Sequence, residues 1–255
     1  MCEILGFSSK NKMNIHSYLQ EFFSHSTTNP NGWGLAEFCG DNVIFHTEPL
    51  SANASTLLPG LLENDTESQN VLAHIRKATV GGISPKNCHP FVLKDNSNRT
   101  WYLMHNGTIF NGLELLQYKS KQNGDTDSER ILLYLIDQIN AETMKKNCCL
   151  NPFERFKVVE RTIEKLSYRN KLNLIIYDEY QMYVHVNMKD TLFFKNNENG
   201  ILFATVPLED EGWEPLPLTT LFVYRDGKLQ YRGKNHHNAY IDIINHFEPQ
   251  YDYNI

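Results

Sequence analysis

The sequence is short of the features that would send a chain to a membrane, a nucleic acid or a metal. No stretch approaches the roughly 20 apolar residues of a bilayer-spanning helix, and no basic-then-apolar segment opens the chain. Lys and Arg total 24 against 30 Asp and Glu, a net charge of -6 with no basic block. Nucleic acid is therefore not an expected partner, because phosphate binding needs a positive face. The five cysteines (Cys2, Cys39, Cys88, Cys148 and Cys149) are odd in number and irregularly spaced. Without a CxxC pair, neither a zinc site nor a redox dithiol is expected. With no export signal, the thiols are expected to be reduced and the protein cytoplasmic. No GxGxxG follows a strand, and Gly81 and Gly82 fit no phosphate-cradling pattern, so no cofactor is expected. His236 and His237 are adjacent and, with His246, lack a carboxylate to complete a metal set; they read as surface or packing residues. Neither a repeat nor a low-complexity linker divides the chain, which is expected to form one domain over residues 1–255.

What is present is an ordinary globular pattern, 41% hydrophobic and 21% charged. "MCEILGFSS" reads as a buried strand, and "NIHSYLQEFFSHS" as a helix with Ile15, Leu19, Phe22 and Phe23 on one face. "NPNGWGLAEFCGDNVIFH" reads as a hairpin, "VLAHIRKAT" as a strand, and "VGGISPKNCHPF" as an irregular loop. "RTWYLMHNGTI" is an aromatic-rich strand expected to end in a His-Asn-Gly turn. In "DSERILLYLIDQINAE" the residues Leu132, Leu135, Ile136 and Ile139 make one helical face, with Asp127 or Ser128 as the cap. The helix "PFERFKVVERTIEKL" follows, then short strands in quick succession, including an Arg-Asp-Gly-Lys hairpin. A short amphipathic piece and a polar tail close the chain. The pattern is an α/β mixture rich in antiparallel strands.

Four polar clusters lie in the first half: Cys2, Arg76 with Thr79 close behind, Asn106 with Gly107, and Asp127. Each has a plain explanation as a packed thiol, a surface cation, a turn or a helix cap. Together they fit hydrolysis of an amide on a free amino acid. If Met1 is removed, Cys2 carries both a thiol and an α-amino group with a pKa of about 8, which can take the thiol proton. An Asn amide and a neighbouring backbone N–H suit a tetrahedral oxyanion. An arginine suits an α-carboxylate, and Asp127 an α-ammonium.

These residues resemble a known family. "MC", "NGWG" (Asn31 to Gly34), "AHIRKAT" (Ala73 to Thr79), "CHPF" (Cys88 to Phe91), "MHNGTI" (Met104 to Ile109) and "TDSE" (Thr126 to Glu129) occur in the order seen in class II glutamine amidotransferases. These belong to the N-terminal-nucleophile hydrolases, and the stand-alone bacterial type is the most similar. "ATVPLEDEGWEPL" (Ala204 to Leu216) resembles their C-terminal half. The resemblance implies a four-layer αββα sandwich, with two antiparallel sheets between helical layers. It implies Cys2 as nucleophile, Asn106 and Gly107 as oxyanion hole, Arg76 with Thr79 at the α-carboxylate, and Asp127 at the α-ammonium. Gly32 to Gly34 are then expected to shape a turn under Cys2. His74 and His89 are expected to hold strand and loop by hydrogen bonds rather than act as bases. Several members carry an aromatic residue after the clamping arginine; here it is Lys77, and the following loop is expected to cover the substrate. Complete synthases of the family add an ammonia-using domain, for which these 255 residues leave no room. Three functions stay open: a hydrolase of glutamine or a γ-glutamyl small molecule, an ammonia-supplying subunit of a separate synthase partner, and a non-catalytic glutamine-binding sensory domain.

Overall fold

The computed structural model describes residues 2–40, 42–63 and 67–242. Two antiparallel sheets carry the architecture. The strands in chain order are β1 (Glu3–Met13), β2 (Trp33–Cys39), β3 (Asn42–Glu48), β4 (Ser68–Ile75), β5 (Phe91–Lys94), β6 (Thr100–Thr108), β7 (Lys171–Tyr177), β8 (Met182–His185), β9 (Phe193–Asn196), β10 (Gly200–Ala204), β11 (Glu214–Pro215), β12 (Phe222–Arg225) and β13 (Lys228–Arg232). One sheet has the order β11-β9-β10-β1-β4-β2-β3, the other β13-β12-β8-β7-β6-β5. The helices are α1 (His16–Ser24), α2 (Leu58–Glu63), α3 (Asp127–Lys146) and α4 (Pro152–Ser167).

Strand alternation sorts the side chains into three apolar layers. Leu5, Phe7, Val71 and Ala73 face Leu19, Phe22 and Phe23 of α1. Leu103, Leu172, Leu174 and Ile176 face Leu132, Leu135, Ile139 and Val159 of α3 and α4. Between the sheets lie Ile4, Leu72, Met104, Ile175, Val184 and Phe203. Helices, sheet, sheet and helices thus form the expected αββα sandwich. The predicted apolar faces of α1 and α3 are the buried ones.

The strand ends differ from expectation in an instructive way. Asn106 and Gly107 lie inside β6, opposite Asn173 and Leu172 of β7, rather than in a turn. Gly107 is required by close approach: an added Cβ would stand 2.0 Å from the Lys171 carbonyl oxygen and 2.4 Å from His105 Nε2. Gly32 does shape a turn, with φ of 150°, but Gly34 belongs to β2, paired with His74. The cap of α3 is Thr126, whose hydroxyl accepts from Glu129 N at 3.2 Å. Asp127 is therefore the first helical residue, with its carboxylate released from capping. The expected closing segment, including His246, lies mostly outside the described residues.

Candidate active site

β1 is central in its sheet, between β10 and β4, and its leading end carries Cys2. Glu3 points to the other side of the strand, where His25 Nδ1 lies 2.8 Å from its Oε2 and Asn29 Nδ2 donates to its Oε1 at 3.1 Å. That anchor turns Cys2 inward. Cys2 is half-buried, and its sulfur lies on the Lys77 backbone, accepting from the N–H at 3.3 Å and 3.4 Å from the carbonyl oxygen. Burial pushes the thiol above its ordinary pKa; the Lys77 N–H and the Arg76 charge pull it down, and Asp127 pushes it up. Arg76 and Asp127 thus both act electrostatically on the sulfur.

Arg76 directly follows β4 and is 2% exposed. Its guanidinium donates to the carbonyls of Gly82 (2.8 Å), Val80 (3.0 Å) and Gly81 (3.2 Å). Its backbone is fixed to the Gly32 turn: Arg76 N donates to Gly32 O at 2.8 Å, and Asn31 N to Arg76 O at 2.9 Å. The Asn31 side chain also accepts from Ala78 N at 3.0 Å, which gives the "NGWG" motif a specific task in holding the arginine. Thr79, three residues on, is exposed on the loop and stands apart from this network.

The loop after Arg76 is tied down rather than loose. Gly82 N donates to the Asp125 carboxylate at 3.2 Å, and Asn87 Nδ2 donates to Gly82 O at 2.8 Å and to Asp125 Oδ1. Asp125 lies in the connection that leads into α3, two residues before Asp127. Asp127 Oδ2 accepts from Ile109 N at 2.8 Å, fastening the start of α3 to the end of β6. Asn106 is 1% exposed, and its amide donates to Thr205 Oγ1 at 3.5 Å. The same hydroxyl accepts from Ile4 N at 2.9 Å. Thr205 thereby links the expected oxyanion residue to the strand that carries Cys2.

Cys2, Arg76, Asn106, Gly107 and Asp127 therefore converge at one end of the sandwich. Three contributors had no individual signal in the sequence. Thr205 sat within a recognised stretch, Asp125 beside one, and Lys171 in none. Lys171 is 4% exposed; burial lowers it to about 8, against upward pulls from Cys2 and then Asp242.

Histidines underlie the site. His74 and His89 stack with ring centroids 4.1 Å apart, and His89 meets Phe91 edge-on. Their ring nitrogens have no hydrogen-bond partner among the described residues, so they hold strand and loop by packing rather than by the expected hydrogen bonds. Burial, then the Arg76 charge and His105, lower His74 to about 3; burial and then His74 take His89 well below its ordinary value. Both are neutral at neutral pH. His105 Nε2 lies 3.2 Å from the Lys171 carbonyl, which can only accept, so this nitrogen carries the proton. Its Nδ1 then accepts from Ser128 Oγ at 3.0 Å. His236 packs against His185, with Nε2 atoms 2.9 Å apart. Among the described residues no three His, Cys, Asp or Glu side chains converge as a metal set.

A family model for glutamine amidotransferases class-II matches residues 1–195. The chain belongs to the class II glutamine amidotransferases. It is 30% identical to an uncharacterized protein of Methanocaldococcus jannaschii, over 92% of this chain and 72% of that one. A "predicted glutamine amidotransferase" of Pseudomonas aeruginosa superposes with a TM-score of 0.63 at 19% identity, over 90% of this chain and 100% of the other. Glutamine phosphoribosylpyrophosphate amidotransferase of Bacillus subtilis superposes with a TM-score of 0.65 at 16% identity, over 92% of this chain and 49% of that one. The chain thus spans about half of the Bacillus protein. These two likenesses establish the fold. The family match ends at residue 195, yet β10 enters the first sheet beside β1, and β12 and β13 extend the second. No helix among the described residues is long and apolar enough to cross a membrane.

Proposed function

We propose that this amidotransferase hydrolyses the side-chain amide of glutamine, or of a γ-glutamyl small molecule, through a thioester on Cys2. The observation that carries the reading is the seating of the Cys2 sulfur on the backbone that follows Arg76, where the charges of Arg76 and Asp127 both reach it. Removal of Met1 frees the Cys2 α-amine, which takes the thiol proton. The thiolate attacks the amide carbon, and the new oxyanion is met by the Asn106 amide and the Gly107 backbone N–H. Collapse of the tetrahedral intermediate returns the proton to the departing nitrogen and leaves a thioester. Water, activated by the same amine, then releases glutamate and restores the thiol.

Arg76 already serves three carbonyls. A substrate α-carboxylate takes the remaining donors of its five-donor fork, and Asp127 pairs with the α-ammonium. Thr79 remains a candidate contact to that carboxylate, although it is exposed on the loop. These groups grip the glutamyl end alone, so a leaving ammonia and a leaving amine are held alike. The proposed role is that of a hydrolase, with ammonia supply to a synthase partner as the competing outcome of the test.

The test is glutamate release from glutamine and from a panel of γ-glutamyl amides and peptides, with Cys2→Ala alongside. Cys2→Ala is expected to reduce release to background while keeping the fold. Undiminished release would refute the nucleophile. Release that is strong with glutamine and weak with larger γ-glutamyl compounds would assign the ammonia-supplying role.

A further inference from the structure

We propose that Lys171 is a positioning residue for the Cys2 nucleophile, its ammonium facing the sulfur across the inter-sheet layer and holding it as thiolate. The inference rests on the nucleophile assigned above. It begins with strand parity. Along β7, Leu172, Leu174 and Ile176 belong to the outer core, while Ile175 and Tyr177 belong to the layer between the sheets. Lys171 and Asn173 share the parity of Ile175 and so face the other sheet. Across the ladder, Lys171 pairs with Thr108, and Asn173 with Asn106, so the lysine stands one pair beyond the expected oxyanion residue on the same face. On β1, Ile4 lies in the inter-sheet layer and Leu5 in the layer under α1. Cys2 has the parity of Ile4 and faces β7.

The backbone of Lys171 is fixed from two directions. His105 Nε2 donates to its carbonyl at 3.2 Å, and Gly107 approaches that same oxygen more closely than any side chain would permit. Lysine is rarely placed at 4% exposure without a charged purpose. Among the described residues, the charged and titratable groups that act on it include the Cys2 sulfur, the Asp242 carboxylate from the segment after β13, and His105 of β6, which is neutral. Cys2 for its part meets Arg76 and the chain's amino terminus, which pull its thiol down, and Asp127, which pushes it up. Burial still leaves the thiol above its ordinary value, and a further cation that keeps its proton while the α-amine accepts one favours the thiolate. The proton leaves Cys2 for the α-amine, and Lys171 keeps its own. Since the lysine loses its charge near pH 8, its pull fades on the alkaline side.

The experiment is site-resolved alkylation of Cys2 with iodoacetamide as a function of pH, read by peptide mass spectrometry so that the other cysteines do not interfere. It needs no turnover. In Lys171→Met the midpoint of Cys2 reactivity is expected to rise by about one unit and the rate at pH 7 to fall about tenfold. Lys171→Arg is expected to restore both. An unchanged midpoint in folded Lys171→Met, or in Lys171→Gln should the methionine variant not fold, overturns the proposal. So does a shifted midpoint that Lys171→Arg fails to bring back. The reading is separable from the proposed function: Cys2→Ala with full glutamate release would sink the nucleophile and leave the alkylation midpoint as measured.

Discussion

Two buried arginines in this molecule have opposite company. Arg155 of α4 donates through Nε to Asp178 at 2.6 Å and through Nη1 to Leu150 O at 2.9 Å. Asp178, fully buried, also accepts from Tyr183 OH at 3.0 Å and from Gln181 N at 2.8 Å. Arg76 is just as deeply buried, yet none of the ion pairs among the described residues includes it; its partners are three carbonyls. A buried guanidinium needs an anion, because dipoles alone compensate desolvation incompletely. The first arginine has its anion in the fold. The second has carbonyl partners only, as the proposed role at a substrate α-carboxylate requires. The contrast between the two is open to direct test.

The largest effect that tests the contrast is on stability at the closed pair. Asp178→Ala leaves Arg155 buried without its carboxylate and is expected to cost about 3–5 kcal/mol in urea unfolding. Arg76→Met is expected to change stability far less. Equal losses at the two positions would erase the distinction.

Acid comes next, and it probes His74 in the first sheet and the His185–His236 pair at the second. His74 and His185 are each held near 3 in the folded chain by burial, and His236 near 4. Their folded values lie below the unfolded value of about 6.5, so the unfolded chain binds more protons in that window. Stability therefore rises with pH between about 4 and 6.5 and is flat above, with about 2 kcal/mol lost at each of His74 and His185 on going from pH 7 to 5 and less at the partly exposed His236. Unfolding curves at the two pH values check this, and a flat profile would contradict the neutral stack beneath Arg76.

On substrate binding, Arg76→Met is expected to raise KM for glutamine by about tenfold or more, from the loss of about 1–3 kcal/mol of hydrogen bonding to a charged group. An unchanged KM would show that Arg76 is as structural as Arg155. The smallest effect belongs to Thr205→Val, which removes the hydroxyl joining Ile4 N and Asn106. About 1 kcal/mol of stability and a several-fold drop in kcat are expected, since both partners lose a buried hydrogen bond.

The sequence disclosed the candidate site better than the way it is built. Cys2, Arg76, Asn106 and Asp127 could be singled out because the proposed chemistry needs particular residue types in a particular order, and the fold brings them to one end of the sandwich. The apolar faces of α1 and α3 were legible from helical spacing. Asn106-Gly107 was misread as a turn because local preference favours one. The approach of the Lys171 carbonyl, 64 positions away, decides otherwise. Asp127 read as a cap because Thr126, one residue earlier, is an equally good one and takes the part. The strand order, with β10 beside β1 and β4 between β1 and β2, depends on pairings no local pattern encodes. Lys171 was invisible for the same reason: a lysine at a strand start is unremarkable until the strand it faces is known.

The hydroxyl of Thr205 reaches Ile4 across 201 positions of chain, and that span has a bearing on synthesis. During translation, Cys2 emerges long before β10 and Thr205 exist to pin its strand. Until they arrive, Ile4 N lacks the hydroxyl that receives it in the finished fold. The long reach of one side chain thus sets an order: the strand that begins beside Cys2 acquires its full set of partners only after synthesis has passed Thr205.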